Sequence, residues 1–227
     1  MSVIKKYKLK IESISNPLPD IYSIKFLIPK RIKYKPGQFL HLAIDDYDPS
    51  FPWPESRCFS MQSSPHDEFL KITYAVKGEY TKRMSEELFV GKEVWLKLPY
   101  GDLFQRSHDV NNSVFIAGGT GITPFLSLFN DESFSEYNKP VLYAGFRSKK
   151  YNIFEEELES IKNINGSIRM HVLYEDESGK LNIDNIFNEQ GNKNYFISGP
   201  PQMISKFKDS LINFGVAVGQ IFLDEWE

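Results

Sequence analysis

From residue 3 to about residue 105, apolar positions come in short runs broken by Pro, Gly and Asp. Tyr7–Ile14, Tyr22–Ile28, Phe39–Ile44, Cys58–Met61, Leu70–Val76 and Val94–Leu98 read as strands. Ile21, Ile24 and Phe26 mix with polar neighbours, as strands with one wet face do. Asn16-Pro17, Lys35-Pro36-Gly37 and Tyr100-Gly101-Asp102 punctuate the runs. Six strands at this spacing predict a small antiparallel β-barrel, with one helix over Thr81–Leu88. After Asn111-Asn112 the pattern changes to solid apolar strands alternating with helices. The strands are Val114–Ala117, Val141–Phe146, Ile168–Tyr174, Tyr195–Ser198 and Ile221–Leu223. The helices are Pro124–Asn130, Ile153–Lys162, Ile183–Asn188 and Gln202–Phe214. That alternation predicts an α/β doubly wound parallel sheet covered on both faces. The chain of 227 residues therefore reads as two domains, 1–108 and 109–227.

Composition narrows the function. With 41% hydrophobic residues each half can bury a core, and a net charge of −3 leaves no electrostatic footprint for nucleic acid. Lys5, Lys6, Lys8 and Lys10 alternate along the first strand and read as its wet face. No apolar stretch nears the roughly 20 residues that cross a bilayer, and no secretory h-region follows the first residues. The expectation is a cytoplasmic protein without a membrane span. Cys58 is the one cysteine, which excludes an internal disulfide, a thiolate zinc site or an iron–sulfur cluster. The four histidines lack ligand spacing, so no metal is expected.

The most informative segment is Ala117-Gly118-Gly119-Thr120-Gly121-Ile122-Thr123-Pro124. It lies between the strand Val114–Ala117 and a helix, so it reads as a tight glycine turn at the carboxyl end of a parallel strand, where such sheets bind ligands. Glycine admits positive φ and close approach of a ligand. Thr123 can cap the helix with its hydroxyl and Pro124 suits the first turn. Free N–H groups at such a start can donate to a pyrophosphate, although many strand–helix turns use glycine and bind nothing. Ser198-Gly199-Pro200 lies at a second strand end.

Arg57-Cys58-Phe59-Ser60-Met61-Gln62-Ser63-Ser64 is the second constellation. Arginine, aromatic and hydroxyl on one strand suit a flat cofactor with a phosphate tail; an ordinary barrel strand with Phe59 in the core reads the same way. Lys77-Gly78-Glu79-Tyr80-Thr81-Lys82-Arg83-Met84 is a glycine turn into a helix, a natural anion cradle or simply a capped helix.

Together these segments resemble the ferredoxin–NAD(P) reductase-like superfamily of flavoproteins, in order along nearly the whole chain. Pro36-Gly37-Gln38-Phe39 resembles its PGQF turn, and Arg57-x-Phe59-Ser60-x-x-Ser63 its RxYSxxS motif with Phe for Tyr. Gly78-x-x-Thr81-x-x-Met84 resembles GxxS/TxxL, and Pro99-Tyr100-Gly101-Asp102-Leu103-Phe104 the PxGxF segment. Gly118–Pro124 resembles GGTGITP, and Ser198-Gly199-Pro200-Pro201-Gln202-Met203 resembles CGPxxM.

The resemblance implies that the barrel holds FAD and the second domain holds NADH or NADPH. Arg57, Gly78, Tyr80 and Thr81 would grip the flavin pyrophosphate region. Phe59 would lie against the isoalloxazine or ribityl chain, with Ser60 near flavin N5 and Ser63 in the same motif. Tyr74, Ala75 and Val76 would touch the flavin. Gly119, Thr120, Gly121, Pro124, Ser198, Gly199, Pro200 and Met203 would line the nicotinamide dinucleotide site. Ser198 replaces the cysteine common in the family, and Trp226 would shield the flavin. Ser60, Ser198 and Trp226 would thus stand at the reacting rings. Hydride transfer between rings is a positioning problem, so no His/Asp dyad is needed.

NADH is expected over NADPH, because Glu175, Asp176 and Glu177 after the third strand would repel a 2′-phosphate. Arg147, Lys149 and Lys150 argue the other way. Three functions fit. The first is an FAD-dependent NAD(P)H reductase serving a separate protein acceptor such as a ferredoxin, an oxygenase component or a haem protein. The second is an NAD(P)H:flavin reductase with free flavin as substrate. The third is a nucleotide-binding regulatory module without turnover.

Overall fold

The computed structural model describes residues 3–28 and 32–225. Trp226 lies outside the described residues. The chain divides into two compact units, Met1–Asp102 and Leu103–Glu227. The division falls a few residues before the expected boundary at 108/109. Leu103 and Phe104 already pack into the second unit's core, and the His108 ring stands edge-on 5.0 Å from Phe196.

In the first unit, β1 (Lys5–Leu18), β2 (Ile21–Leu27), β3 (Phe39–Ala43), β4 (Arg57–Ser60), β5 (Phe69–Ala75) and β6 (Glu93–Tyr100) form one antiparallel sheet ordered β4-β3-β6-β1-β2-β5. Leu9 and Ile11 point inward, while Lys6, Lys8 and Lys10 stand opposite Lys97, Trp95 and Glu93 on β6. The alternating lysines are therefore the wet face that the sequence predicts. Ile24, Phe26, Leu40, Leu42, Met61, Leu70, Ile72 and Leu96 fill the interior. The two edges meet just past β4: the Gln62 N–H donates to Lys71 O at 2.8 Å, and the Lys71 N–H donates to Ser63 Oγ at 3.0 Å. The sheet is thereby a nearly closed barrel, and α1 (Glu79–Glu87) buries Tyr80 and Met84 in its core.

The second unit is a parallel sheet ordered β11-β10-β7-β8-β9. Its strands are β7 (Ser113–Gly118), β8 (Val141–Phe146), β9 (Arg169–Tyr174), β10 (Asn194–Ser198) and β11 (Ile221–Leu223). Its helices are α2 (Thr123–Phe129), α3 (Glu155–Ser160), α4 (Glu175–Ser178), α5 (Ile183–Gln190) and α6 (Pro201–Asn213). Alternate residues of β7 explain the solid apolar pattern. Phe115 and Ala117 enter one core with α2 and Leu158 of α3, while Val114 and Ile116 enter the other with α5 and α6. The α3 segment is shorter than the expected Ile153–Lys162, because Ile161–Asn163 tightens into a 3₁₀ turn. Among the described residues no helix is long and apolar enough to cross a membrane.

Candidate dinucleotide sites

Arg57 opens β4 half-exposed, its guanidinium 2.9 Å from Glu55 Oε1 and 4.7 Å over the Tyr80 ring. The Tyr80 hydroxyl is wholly engaged with the chain. It accepts from the Ile44 N–H at 3.1 Å and stands 2.9 Å from Leu42 O and 3.1 Å from Glu55 O. Burial pushes its pKa up to about 12, and the neighbouring Asp45 and Glu55 charges push the same way. Tyr80 thus offers Arg57 a ring face, not a hydroxyl.

The turn before α1 differs from its expected use in one respect. Thr81 Oγ1 accepts from the N–H groups of Lys77 at 2.9 Å and Gly78 at 3.1 Å, and donates to Gly78 O at 3.0 Å. Its hydroxyl caps its own helix. The first-turn N–H groups of Glu79 and Tyr80 have no intrahelical acceptor, and they are what the turn can offer an anion. Gly78 is extended at φ −160°, a conformation open to any residue. A Cβ there would meet nothing within 4 Å. Neither strain nor packing demands glycine at this point, where Gly78 serves as the N-cap of α1 and leaves the approach to the first-turn amides open.

At the end of β4 the side chains part. Phe59 is 7% exposed and belongs to the barrel core, its ring 5.6 Å from that of Tyr74. Tyr74 is itself buried and stacked on Tyr22 at 5.5 Å, and burial raises its hydroxyl pKa. Ala75 and Val76 stay half-exposed at the strand end. Ser63 is committed to the barrel: its Oγ lies 2.9 Å from Tyr34 Oη and accepts the Lys71 N–H. Ser60 is the exception. It is 4% exposed, and its Oγ is buried without any hydrogen-bond partner. Native structures rarely strand a buried hydroxyl, and a polar atom of a bound ring would satisfy it. The barrel residues fit a flavin at Ser60 and a pyrophosphate near Arg57 and the Gly78 turn.

In the second unit β7 ends at Gly118 and runs into a 3₁₀ turn, Gly119–Ile122, before α2. The expected Thr123 cap is not made. Ile122 is the cap residue without a side-chain bond, and Thr123 Oγ1 instead donates to Thr120 O at 3.0 Å, because the 3₁₀ turn carries Thr123 into the helix. Pro124 lies in the first turn as expected. Gly119 takes φ +56° and leaves open space where a Cβ would stand. Gly121 serves packing. A Cβ on it would lie 2.5 Å from Gly199 Cα and 2.6 Å from Gly199 N. Gly199, at φ +152°, would in turn meet Gly118 N at 3.0 Å. The turns after β7 and β10 are thus pressed backbone against backbone, with Met203 and Pro200 against Gly118. Glycine in both motifs joins two adjacent turns, and at Gly119 it leaves open space beside them.

Ser198 ends β10 at 1% exposure, and its Oγ donates to Asp224 Oδ2 at 2.8 Å. Asp224, which sequence reasoning did not single out, is held by its own N–H to Ile197 O at 3.0 Å. The β10/β11 register pairs Ile197 with Leu223, so continuing it by one residue pairs Ser198 with Asp224. On the other side of the sheet, the Arg147 guanidinium lies 5.6 Å from the Tyr151 ring. The Asp176 N–H donates to Arg147 O at 3.2 Å, tying the acidic α4 to the basic loop after β8.

Residues 4–123 match the model of the FAD-binding domain family, and residues 115–209 match that of the oxidoreductase NAD-binding domain. The chain belongs to the ferredoxin–NAD(P) reductase-like superfamily. FAD and a nicotinamide dinucleotide are its cofactors. Among curated relatives, the propane 2-monooxygenase reductase component of Gordonia sp. (strain TY-5) is 32% identical over 152 residues, covering 64% of this chain and 42% of the relative. Dual oxidase 1 of Caenorhabditis elegans is 26% identical over 186 residues, covering 75% and 12%. The chain therefore spans less than half the length of these relatives. A solved ferredoxin NADP+ reductase from Neisseria gonorrhoeae with bound FAD and NADP superposes with a TM-score of 0.82 at 20% identity, covering 96% of this chain and 98% of the other. That likeness shows the same fold, a barrel followed by a parallel α/β unit.

Proposed function

We propose that this superfamily member is an FAD-dependent NADH reductase that passes electrons to a separate acceptor protein. The observation that carries the reading is the buried, unpartnered Ser60 hydroxyl at the end of the arginine-bearing strand. Bound FAD would supply the redox chemistry, taking hydride from the coenzyme and releasing electrons onward. The chain's own residues hold and aim it. Arg57 and the first-turn N–H groups of α1 meet the pyrophosphate, and Ser60 Oγ meets the polar edge of the ring. In the second unit the Gly119–Thr120 turn and Gly199–Pro200 receive the coenzyme phosphates and nicotinamide. Asp224 fixes the direction of the Ser198 hydroxyl there. The acidic α4 beside Arg147 disfavours a 2′-phosphate and supports NADH over NADPH. Oxygenase reductase components among the relatives support a protein acceptor.

A second reading has its own observation. Thr81 Oγ1 is consumed by its cap, and Arg57 shares its charge with Glu55, so the grip on the flavin tail rests largely on backbone. A weak grip suits an NAD(P)H:flavin reductase in which flavin exchanges as substrate. Gel filtration of FAD-loaded protein separates the two: flavin that travels with the protein supports the first reading, and flavin lost to the small-molecule fractions supports the second.

A further inference from the structure

β9 is an edge strand, paired with β8 alone. It is also the strand of its sheet in which no residue is buried, whereas β7, β8 and β10 are buried almost throughout. Natural edges are blunted by proline, bulges or inward charges. β9 has no proline, and its register with β8 runs unbroken from Arg169 to Tyr174. The Arg169 N–H donates to Pro140 O at 2.9 Å, on the β8 side. By strand alternation the backbone groups of Met170 and Val172 face the open side.

Beside this edge runs a groove of about 570 Å³ between β9 and α3. Asn152 and His171 line it, and each has a buried atom without a hydrogen bond: Asn152 Oδ1 and His171 Nε2. The nearest acid to His171 Nε2 is Glu189, 3.8 Å away and beyond hydrogen-bond reach. The groove is also polarised. Toward the β9 carboxyl end stand Asn152, which donates through Nδ2 to Tyr174 Oη at 3.3 Å, and Glu155, which lies 4.0 Å from Lys149 Nζ, with Glu159 further along α3. At the opposite end, where the chain turns from α3 into β9, stand Lys162 and Arg169.

We infer that a second copy of this chain docks here, its β9 antiparallel to the first, so that two sheets become one across a two-fold axis. Antiparallel pairing about His171 sets Met170 opposite Val172 of the other copy, with the outward N–H and C=O groups of both in register. The same two-fold brings the basic end of each groove to the acidic end of the other, which is the self-complementarity a symmetric interface requires. An unrelated extended peptide would satisfy the backbone but would gain this charge match only by chance. The inference rests on the second unit alone and is independent of the reductase reading.

Sedimentation velocity over a concentration series tests it. The wild type should show a monomer–dimer equilibrium. Met170→Pro removes an outward N–H without breaking a bond to β8, and should weaken the dimer roughly tenfold or more. Lys162→Glu, which leaves the backbone intact, should weaken it as well, and adding Glu155→Lys to that variant should restore it. A wild type that stays monomeric overturns the inference. So does a dimer indifferent to Lys162→Glu, which would place the interface elsewhere.

Discussion

Ser198, buried, and Asp224, half-buried, form a hydroxyl–carboxylate pair, Oγ to Oδ2 at 2.8 Å, at the carboxyl ends of two adjacent parallel strands. A thiol, the group common at this position in the family, donates only weakly. Serine therefore anchors a carboxylate that cysteine would leave looser. Ser198→Ala should remove about 1–2 kcal/mol of stability, because Asp224 loses a charge-assisted donor. Ser198→Cys should fall between the two in thermal melts. The rate of flavin reduction should drop in the same order, with FAD affinity unchanged.

Ser60 predicts the opposite balance. Its hydroxyl makes no bond in the chain, so Ser60→Ala should leave the flavin-free protein as stable or up to about 1 kcal/mol more stable. The FAD-loaded variant should be reduced by NADH at least roughly tenfold more slowly. A loss of apo stability in thermal melts would show that Ser60 is structural.

Two glycines separate packing from binding. Gly121→Ala drives a Cβ to within 2.5 Å of Gly199 Cα, and should cost several kcal/mol, at least about 3, or prevent folding. Gly78→Ala meets no atom and no strained φ. It should cost no more than about 1 kcal/mol, the loss of glycine at an N-cap, yet weaken FAD binding in calorimetry by crowding the approach to the α1 amides.

Tyr80 gives a pH signature. Its folded pKa is pushed up to about 12, chiefly by burial, so the folded state holds a proton that the unfolded chain releases near pH 10. Its contribution is complete below about pH 10 and is lost as pH rises toward 12. Denaturant midpoints should fall across that window, with Tyr74, Tyr137, Tyr143 and Tyr195, also raised by burial, adding to the fall, and Tyr80→Phe should lessen it.

Much of this was legible in the chain. Every predicted strand forms, because period-2 alternation in β1 and solid apolar runs such as Val114–Ala117 leave few other ways to be buried. What the sequence concealed was how polar groups are spent. Ser63 and Thr81 match ligand-binding motifs, but one seals the barrel edge and the other caps its helix, and only hydrogen-bond partners reveal that. Thr123 fails as a cap because a 3₁₀ turn intervenes, which motif spacing does not show. Asp224 could have been found by continuing the β10/β11 register, had that pairing been drawn first. Leu103-Phe104 sits in a motif that looks like the end of the barrel, yet its apolar side chains belong to the second core.

The proposed preference for NADH rests on the acids of α4, tied to the loop that carries Arg147. Replacing Glu175, Asp176 and Glu177 with neutral residues should raise the NADPH rate relative to NADH by roughly tenfold, by removing repulsion of the 2′-phosphate. An unchanged ratio in steady-state assays with both coenzymes would separate α4 from the coenzyme site.

Anaerobic stopped-flow reduction of the FAD-loaded protein addresses the central claim most directly. Mixing with NADH should bleach the visible band of the bound flavin rapidly, and NADPH should do so more slowly. A protein that takes up no FAD, or whose flavin stays oxidised with either coenzyme, contradicts the account.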